Sequence, residues 1–239
     1  MMNIVALQTA RAGSKSVPNK NLYMVKGKPL FLYNCENAKG SKLINDIYIS
    51  TNDEEIKSIA FADRDLKIIN RPESLCQDDS SHYDTILHGL NYIERDQGKK
   101  VDILVILLGN SMGTFTNNID SAIDILKNDP KLDSVCSISR YNMYNPYRAF
   151  KIVDNKLDTV VHNGHIKKLH SKKLNKNDKD AFGDVYFFNG SFWICRRETI
   201  IKNKGLLPFP WLGKNIYPYI QDEGIMEVDA YWQLKLLGW

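Results

Sequence analysis

The run Ala10-Arg11-Ala12-Gly13-Ser14-Lys15-Ser16-Val17-Pro18-Asn19-Lys20-Asn21 threads three cations through small residues directly after an apolar stretch. A strand that opens into such a loop turns backbone N–H groups toward a bound anion. Arg11, Lys15 and Lys20 can neutralise a triphosphate and a departing pyrophosphate. Ala10, Gly13 and Ser14 are the loop positions expected closest to the phosphates. The spacing is neither G-x-x-x-x-G-K-[ST] nor G-x-G-x-x-G, so the loop is neither a P-loop nor a dinucleotide fingerprint. Taken alone it also reads as a solvated basic turn.

A second constellation stands near the other end, at Glu227-Val228-Asp229. Residues two apart on extended backbone project to the same side, so two carboxylates there can share one Mg²⁺ with phosphate oxygens. The same pair serves equally as a cap or dipole partner for a following helix. His82 and His88 fall on a predicted helix, where a lone histidine is ordinarily a packing or surface residue, and no general base stands out.

These residues need elements to hold them. Short β-branched runs recur at Asn3–Leu7, Asp46–Ser50, Leu66–Ile69, Asp102–Leu108 and Ser134–Ile138. Helical patterns lie between them at Leu30–Lys39, Glu54–Asp63, Ser80–Arg95 and Asn117–Asn128. Alternation at this spacing predicts an α/β fold with a mostly parallel, Rossmann-like sheet. Asp79 or Ser80 is expected to cap the third helix. From about Arg140 the pattern turns to aromatic residues and short strand signals, with a hairpin turn at Asp154-Asn155-Lys156. That predicts an extension of strands and loops over 140–186, rising from a single domain over 1–239, and a last helix over Val228–Leu237.

Composition narrows the class. At 239 residues and 43% hydrophobic the chain can bury a full core. Cys35, Cys76, Cys136 and Cys195 show no zinc or disulfide spacing and read as reduced core thiols. The apolar start is one strand long, and no run approaches the ~20 residues that span a bilayer. The expectation is a cytoplasmic protein. A net charge of +4 without a continuous basic face argues against a nucleic-acid partner, and the cluster Ile166–Lys173 reads as a solvated loop.

Taken in order, the motifs resemble the cytidylyltransferases that make CMP-sialic acid, CMP-Kdo and related CMP-nonulosonic acids. Ala10–Asn21 matches their A-R-x-G-S-K opening and K-N pair. Gly27-Lys28-Pro29-Leu30, Ser50-Thr51-Asn52-Asp53-Glu54-Glu55-Ile56, Arg71-Pro72-Glu73-Ser74-Leu75-Cys76-Gln77-Asp78 and Phe188-Asn189-Gly190-Ser191-Phe192-Trp193-Ile194 are similar to further family segments. The resemblance implies CTP as donor, Mg²⁺ as cofactor, a small acidic sugar as acceptor, and a homodimer paired through the extension. It also implies that Arg71 reads cytosine, whose O2 and unprotonated N3 accept from a guanidinium fork where uracil offers an N3–H. Asn21 and Ser81 come near the nucleotide by the same likeness, Asn189 near the acceptor, and Asp78 is a secondary candidate. Glu227 stands where the family has Asp.

The likeness departs after Val105–Leu108. A glutamine- and proline-containing acceptor loop is replaced by Gly109-Asn110-Ser111-Met112-Gly113. Asn110 and Ser111 remain acceptor candidates, and Arg148 and Lys179 are candidates for the acceptor's acidic group. The departure leaves open transfer to another anionic acceptor, phosphorylated or phosphonate, or a catalytically silent nucleotide-binding paralogue.

Overall fold

The computed structural model describes residues 2–162, 164–165, 178–221 and 226–237. The basic cluster at Ile166–Lys173 lies outside them. The chain divides into two compact units, 1–137 with 189–239, and 138–188.

The first unit is built on a seven-stranded sheet. Four of its strands, β1 (Ile4–Thr9), β4 (Asp46–Thr51), β5 (Leu66–Asn70) and β6 (Ile103–Leu108), run parallel in the order β6-β1-β4-β5. β1 and β6 are buried along their whole length, which is why both read as continuous apolar runs rather than alternating ones. On the other side of β6 lies β11 (Tyr186–Arg196), antiparallel, with Trp193 opposite Ile106. Beyond it come β8 (Ser134–Arg140) and the edge strand β12 (Ile216–Ile220). The edge placement of β12 suits its Pro218, which cannot donate to a ladder.

Helices α1 (Leu30–Lys39), α2 (Glu54–Phe61), α3 (His82–Gln97) and α4 (Thr116–Asn128) follow the expected stretches. Phe31, Cys35, Ile119 and Ile123 pack into the core beside Val105 and Ile194. The start of α3 differs from expectation: neither Asp79 nor Ser80 caps it, and the Ser81 hydroxyl accepts from the Asp84 N–H. The last helix is also shorter, Tyr231–Leu236. Gln233 Oε1 takes the N–H groups of Asp229 and Ala230 at 2.7 and 2.6 Å, which starts the helix late and keeps Glu227–Asp229 extended. Besides β12, four short strands and a helix escaped the sequence pattern. They are β2 (Met24–Val25) with β3 (Lys28–Pro29), β7 (Ser111–Met112) with β13 (Met226–Glu227), and the helix Arg197–Lys202. Segments of two residues carry no readable period.

In the second unit, β9 (Phe150–Val153) and β10 (Lys156–Thr159) form an antiparallel hairpin. Asp154 and Asn155 both have positive φ, 50° and 59°, the two left-handed residues a tight hairpin turn requires. Asn142 organises the base of this unit: its amide donates to Asp184 at 2.8 Å and its oxygen accepts from the Val185 N–H at 3.0 Å.

Candidate functional site

The exits of β1, β5 and β6 open onto one cleft of the first unit, with a cavity of about 240 Å³ lined by Arg11, Lys20, Asn21, Arg71, Asn110 and Glu227 among others. Strand C-terminal ends are where open α/β sheets bind ligands. The exits come close together because residue 109 is glycine: a Cβ there would sit 2.7 Å from that of Ala10 and 3.2 Å from Asn21 Oδ1. A glutamine at this position has no room.

The basic loop is held at both ends. At its start the Ala10 N–H is spent on Ser50 O (3.1 Å), the Ala12 N–H on Asn52 Oδ1 (2.9 Å), and Asn21 Nδ2 donates to Arg11 O (2.9 Å). Ala10 is therefore a structural member of the loop, its N–H unavailable to a phosphate. Gly13 turns the chain at φ 72°, and the N–H groups of Gly13, Ser14 and Lys15 have no partner among the described residues. At its far end Val17 packs in a small core with Val25, Leu30, Val228 and Leu234. That core links the loop to the segment carrying Glu227 and Asp229.

Each cation has a carboxylate for company. Arg11 donates to Cys76 O and Asp78 Oδ1, both at 2.9 Å, and Lys15, largely exposed, also reaches Asp78. Hydrogen bonds from Lys15 and Arg11 hold the Asp78 carboxyl below its usual range. Lys20 reaches from the loop to Asp229 Oδ1 at 2.7 Å. Lys15 does not line the cleft, whereas Arg11 and Lys20 do.

Arg71 is buried, with 7% of its surface exposed. Its Nε donates to Ser50 Oγ at 3.0 Å and one Nη to Ser50 O at 2.6 Å, while the other Nη has no hydrogen-bond partner among the described residues. Burial pulls its pKa down to about 10, so it stays a cation at neutral pH. Beside it, His82 Nε2 meets Thr9 Oγ1 at 3.2 Å, and the ring packs against Trp193 and Trp211 at centroid distances of 5.6 and 6.4 Å. Desolvation, then the charge of Arg71, lowers the His82 pKa to about 4, so the imidazole is neutral. The packing role read from the sequence for His82 is the one it has, against Trp193 and Trp211; its i+11 spacing from Arg71 carries no signal that the two share a cleft.

The acid pair converges on one nitrogen. Asn110 Nδ2 donates to Glu227 Oε1 at 3.3 Å, Asp229 Oδ1 at 3.2 Å and Val228 O at 3.0 Å. Burial, and then the charge of Asp229, raise the Glu227 pKa. Both residues supply hard oxygen donors, and a divalent cation would relieve their mutual repulsion, so the pair fits Mg²⁺.

The remaining expected residues are scattered. Ser81 caps α3, and its side chain does not line the cleft. Ser111 is fully buried on β7, its hydroxyl without a partner among the described residues. Asn189 is buried, accepting from the Ser191 N–H and donating to Gln221 Oε1. Arg148 and Lys179 belong to the second unit, where Lys179 pairs with Asp180. All four cysteines are buried free thiols. Among the described residues no helix is long and apolar enough to cross a membrane.

Comparison with known proteins places the chain among cytidylyltransferases. A family model described as cytidylyltransferase matches residues 5–236. The chain is 28% identical to an N-acylneuraminate cytidylyltransferase A of Danio rerio, over 95% of its own length and 48% of the relative's. It is 26% identical to a post-translational flagellin modification protein B of Campylobacter coli, over 99% and 94% of the two chains. It thus spans about half the length of the first relative and nearly all of the second. A solved CMP-2-keto-3-deoxy-manno-octonic acid synthetase, crystallised with CTP, shares the fold with a TM-score of 0.68 at 17% identity, over 98% and 96% of the two chains. The chain belongs to the cytidylyltransferase family.

Proposed function

We propose that this member of the family transfers CMP from CTP to an acidic sugar of the nonulosonic kind, releasing pyrophosphate. One observation carries the reading: a single cleft gathers a half-anchored buried guanidinium, two loop cations and Glu227, with Asp229 joined to it through Lys20 and Asn110. Relatives named for N-acylneuraminate and pseudaminic acid cytidylyl transfer support the acceptor class.

Arg71, held by Ser50 through Nε and one Nη, keeps its other Nη for an acceptor on the base. Cytosine supplies adjacent O2 and N3 acceptors; uracil would set its N3–H against the guanidinium. Arg11, Lys20 and the unpaired N–H groups of Gly13 and Ser14 take the phosphates. The acceptor's hydroxyl oxygen attacks the α-phosphorus, the bond to the bridging oxygen breaks, its electron pair leaves with pyrophosphate, and the hydroxyl proton is released to solvent. Catalysis is then chiefly alignment and charge neutralisation. Glu227 and Asp229 would hold Mg²⁺, which when bound supplies further neutralisation of the triphosphate. Because Arg11 and Lys20 rest on Asp78 and Asp229, the triphosphate exchanges one set of anions for another rather than binding to bare cations.

The acceptor side is altered. Gly109 removes the long amide of the related loop, and a missing hydrogen bond costs roughly 1 to 3 kcal/mol, one to two powers of ten in efficiency. N-acetylneuraminate is expected to be a poor acceptor beside other nonulosonic acids, and Arg148 and Lys179 are proposed for the acceptor's acidic group. A second copy of the chain is proposed to cover the hairpin, where Ile152 and Leu157 are 76% and 70% exposed. Its dependence on CTP suggests the cytoplasm as its setting. The test is initial-rate pyrophosphate release with CTP or UTP across a panel of acid sugars and phosphonates, with and without chelator.

A further inference from the structure

Glu227 stands where the family resemblance expects the shorter aspartate, and its extra methylene has to be placed. Gly190, at φ 75°, makes the room: an added Cβ would lie 3.0 Å from Glu227 Cβ and 3.1 Å from its Oε2. On the other side stands Asn110, itself buried, with an amide nitrogen that reaches Glu227 Oε1, Asp229 Oδ1 and Val228 O. The backbone makes this placement rigid, since the Val228 N–H donates to Asn110 O at 2.8 Å and Ser111 pairs with Glu227 across β7 and β13.

Two carboxylates close together repel, and a donor between them both offsets the repulsion and fixes where they point. The structure assigns Asn110 a positioning role: its amide, with Gly190 behind, holds the Glu227 and Asp229 carboxylates at a common point rather than contacting the acceptor sugar. This rests on the reading of those two residues as the Mg²⁺ ligands. Groups that orient metal ligands typically matter 10- to 100-fold in affinity, so the amide belongs to the metal side of the cleft.

Mn²⁺ serves as the probe, titrated by electron paramagnetic resonance with and without CTP, beside calorimetric titration of CTP in chelator. Asn110→Ala is expected to weaken Mn²⁺ about 10-fold while metal-free CTP affinity stays within about twofold. The Asn110→Ala/Glu227→Ala double variant is expected to weaken Mn²⁺ by less than the product of the two single effects, because part of the amide's effect passes through the Glu227 carboxylate and the rest through Asp229. Unchanged Mn²⁺ affinity with a raised acceptor KM would overturn the assignment and return Asn110 to the acceptor. So would strict additivity in the double variant. If Asn110→Ala does not fold, Gly190→Ala presses on the same carboxylate without removing a donor, and an unaltered Mn²⁺ affinity there overturns the assignment equally. Absence of Mn²⁺ binding by the unmodified chain, with and without CTP, would sink both the metal reading and this role, while selective CTP binding in the same calorimetry would leave the nucleotide reading standing.

Discussion

The nucleotide side of the cleft and the residues proposed for the acceptor are built differently. On the nucleotide side each side chain is fixed by another: Arg71 by Ser50, Arg11 by Cys76 and Asp78, Asn21 by the Arg11 carbonyl. The acceptor candidates share no such lattice. Asn110 is turned toward carboxylates, Ser111 is sealed in a short strand, Asn189 is engaged within its own unit, and Arg148 and Lys179 belong to the other one. A preorganised base and phosphate site can stay fixed while the acceptor is exchanged. The expectation is strict nucleotide choice and looser acceptor choice.

That contrast can be broken most forcefully at Asp229, which joins the loop cation Lys20 to the acid pair. Asp229→Asn is expected to lower kcat by at least about 100-fold, the scale of losing a preorganised electrostatic group; initial rates at saturating CTP and Mg²⁺ check it. Undiminished turnover would place the metal elsewhere. Next comes Arg71→Ala, expected to erase most of a preference for CTP over UTP of about 10- to 100-fold, a lost charge-assisted hydrogen bond being worth about 1.5 to 3 kcal/mol. Calorimetric titration with both nucleotides reads it, and equal affinities before mutation would end the base-reading role.

His82 offers a third lever. Its folded pKa of about 4 lies below the ordinary value of 6.5, so between those values the unfolded chain binds the extra proton. Stability from this group is complete above about pH 6.5 and is lost as pH falls toward 4, by at most about 3 kcal/mol. Urea unfolding at pH 7 and pH 4.5 should show a drop that His82→Gln flattens; an unchanged slope would mean that the ring is charged or exposed. The mildest test falls on the second unit: Ile152→Glu is expected to convert a dimer to monomer in sedimentation at micromolar concentration while leaving the CTP affinity unaltered. A monomeric unmodified chain would contradict the pairing proposed there.

How legible each part was follows from how local its signal is. The loop from Ala10 to Asn21 and the segment at Arg71 are contiguous motifs, and the parallel strands announce themselves as apolar runs because both faces are covered. The hairpin turn was visible because Asp and Asn tolerate the left-handed backbone they adopt. By contrast, the cap of α3 was misplaced by one residue among Asp79, Ser80 and Ser81, all competent caps. The roles of Asn110, Gly190 and His82 depend on partners brought together only by the fold, as in Asn110 to Asp229 with its separation of 119. No spacing rule encodes those meetings.

The most direct test of the central claim is pyrophosphate release by the purified chain with CTP, then UTP, in the presence of Mg²⁺ and a series of acid sugars. The account predicts release that requires CTP and an anionic sugar together, faster with a nonulosonic acid other than N-acetylneuraminate. Equal release with UTP, or none with CTP and any acid sugar, would contradict it.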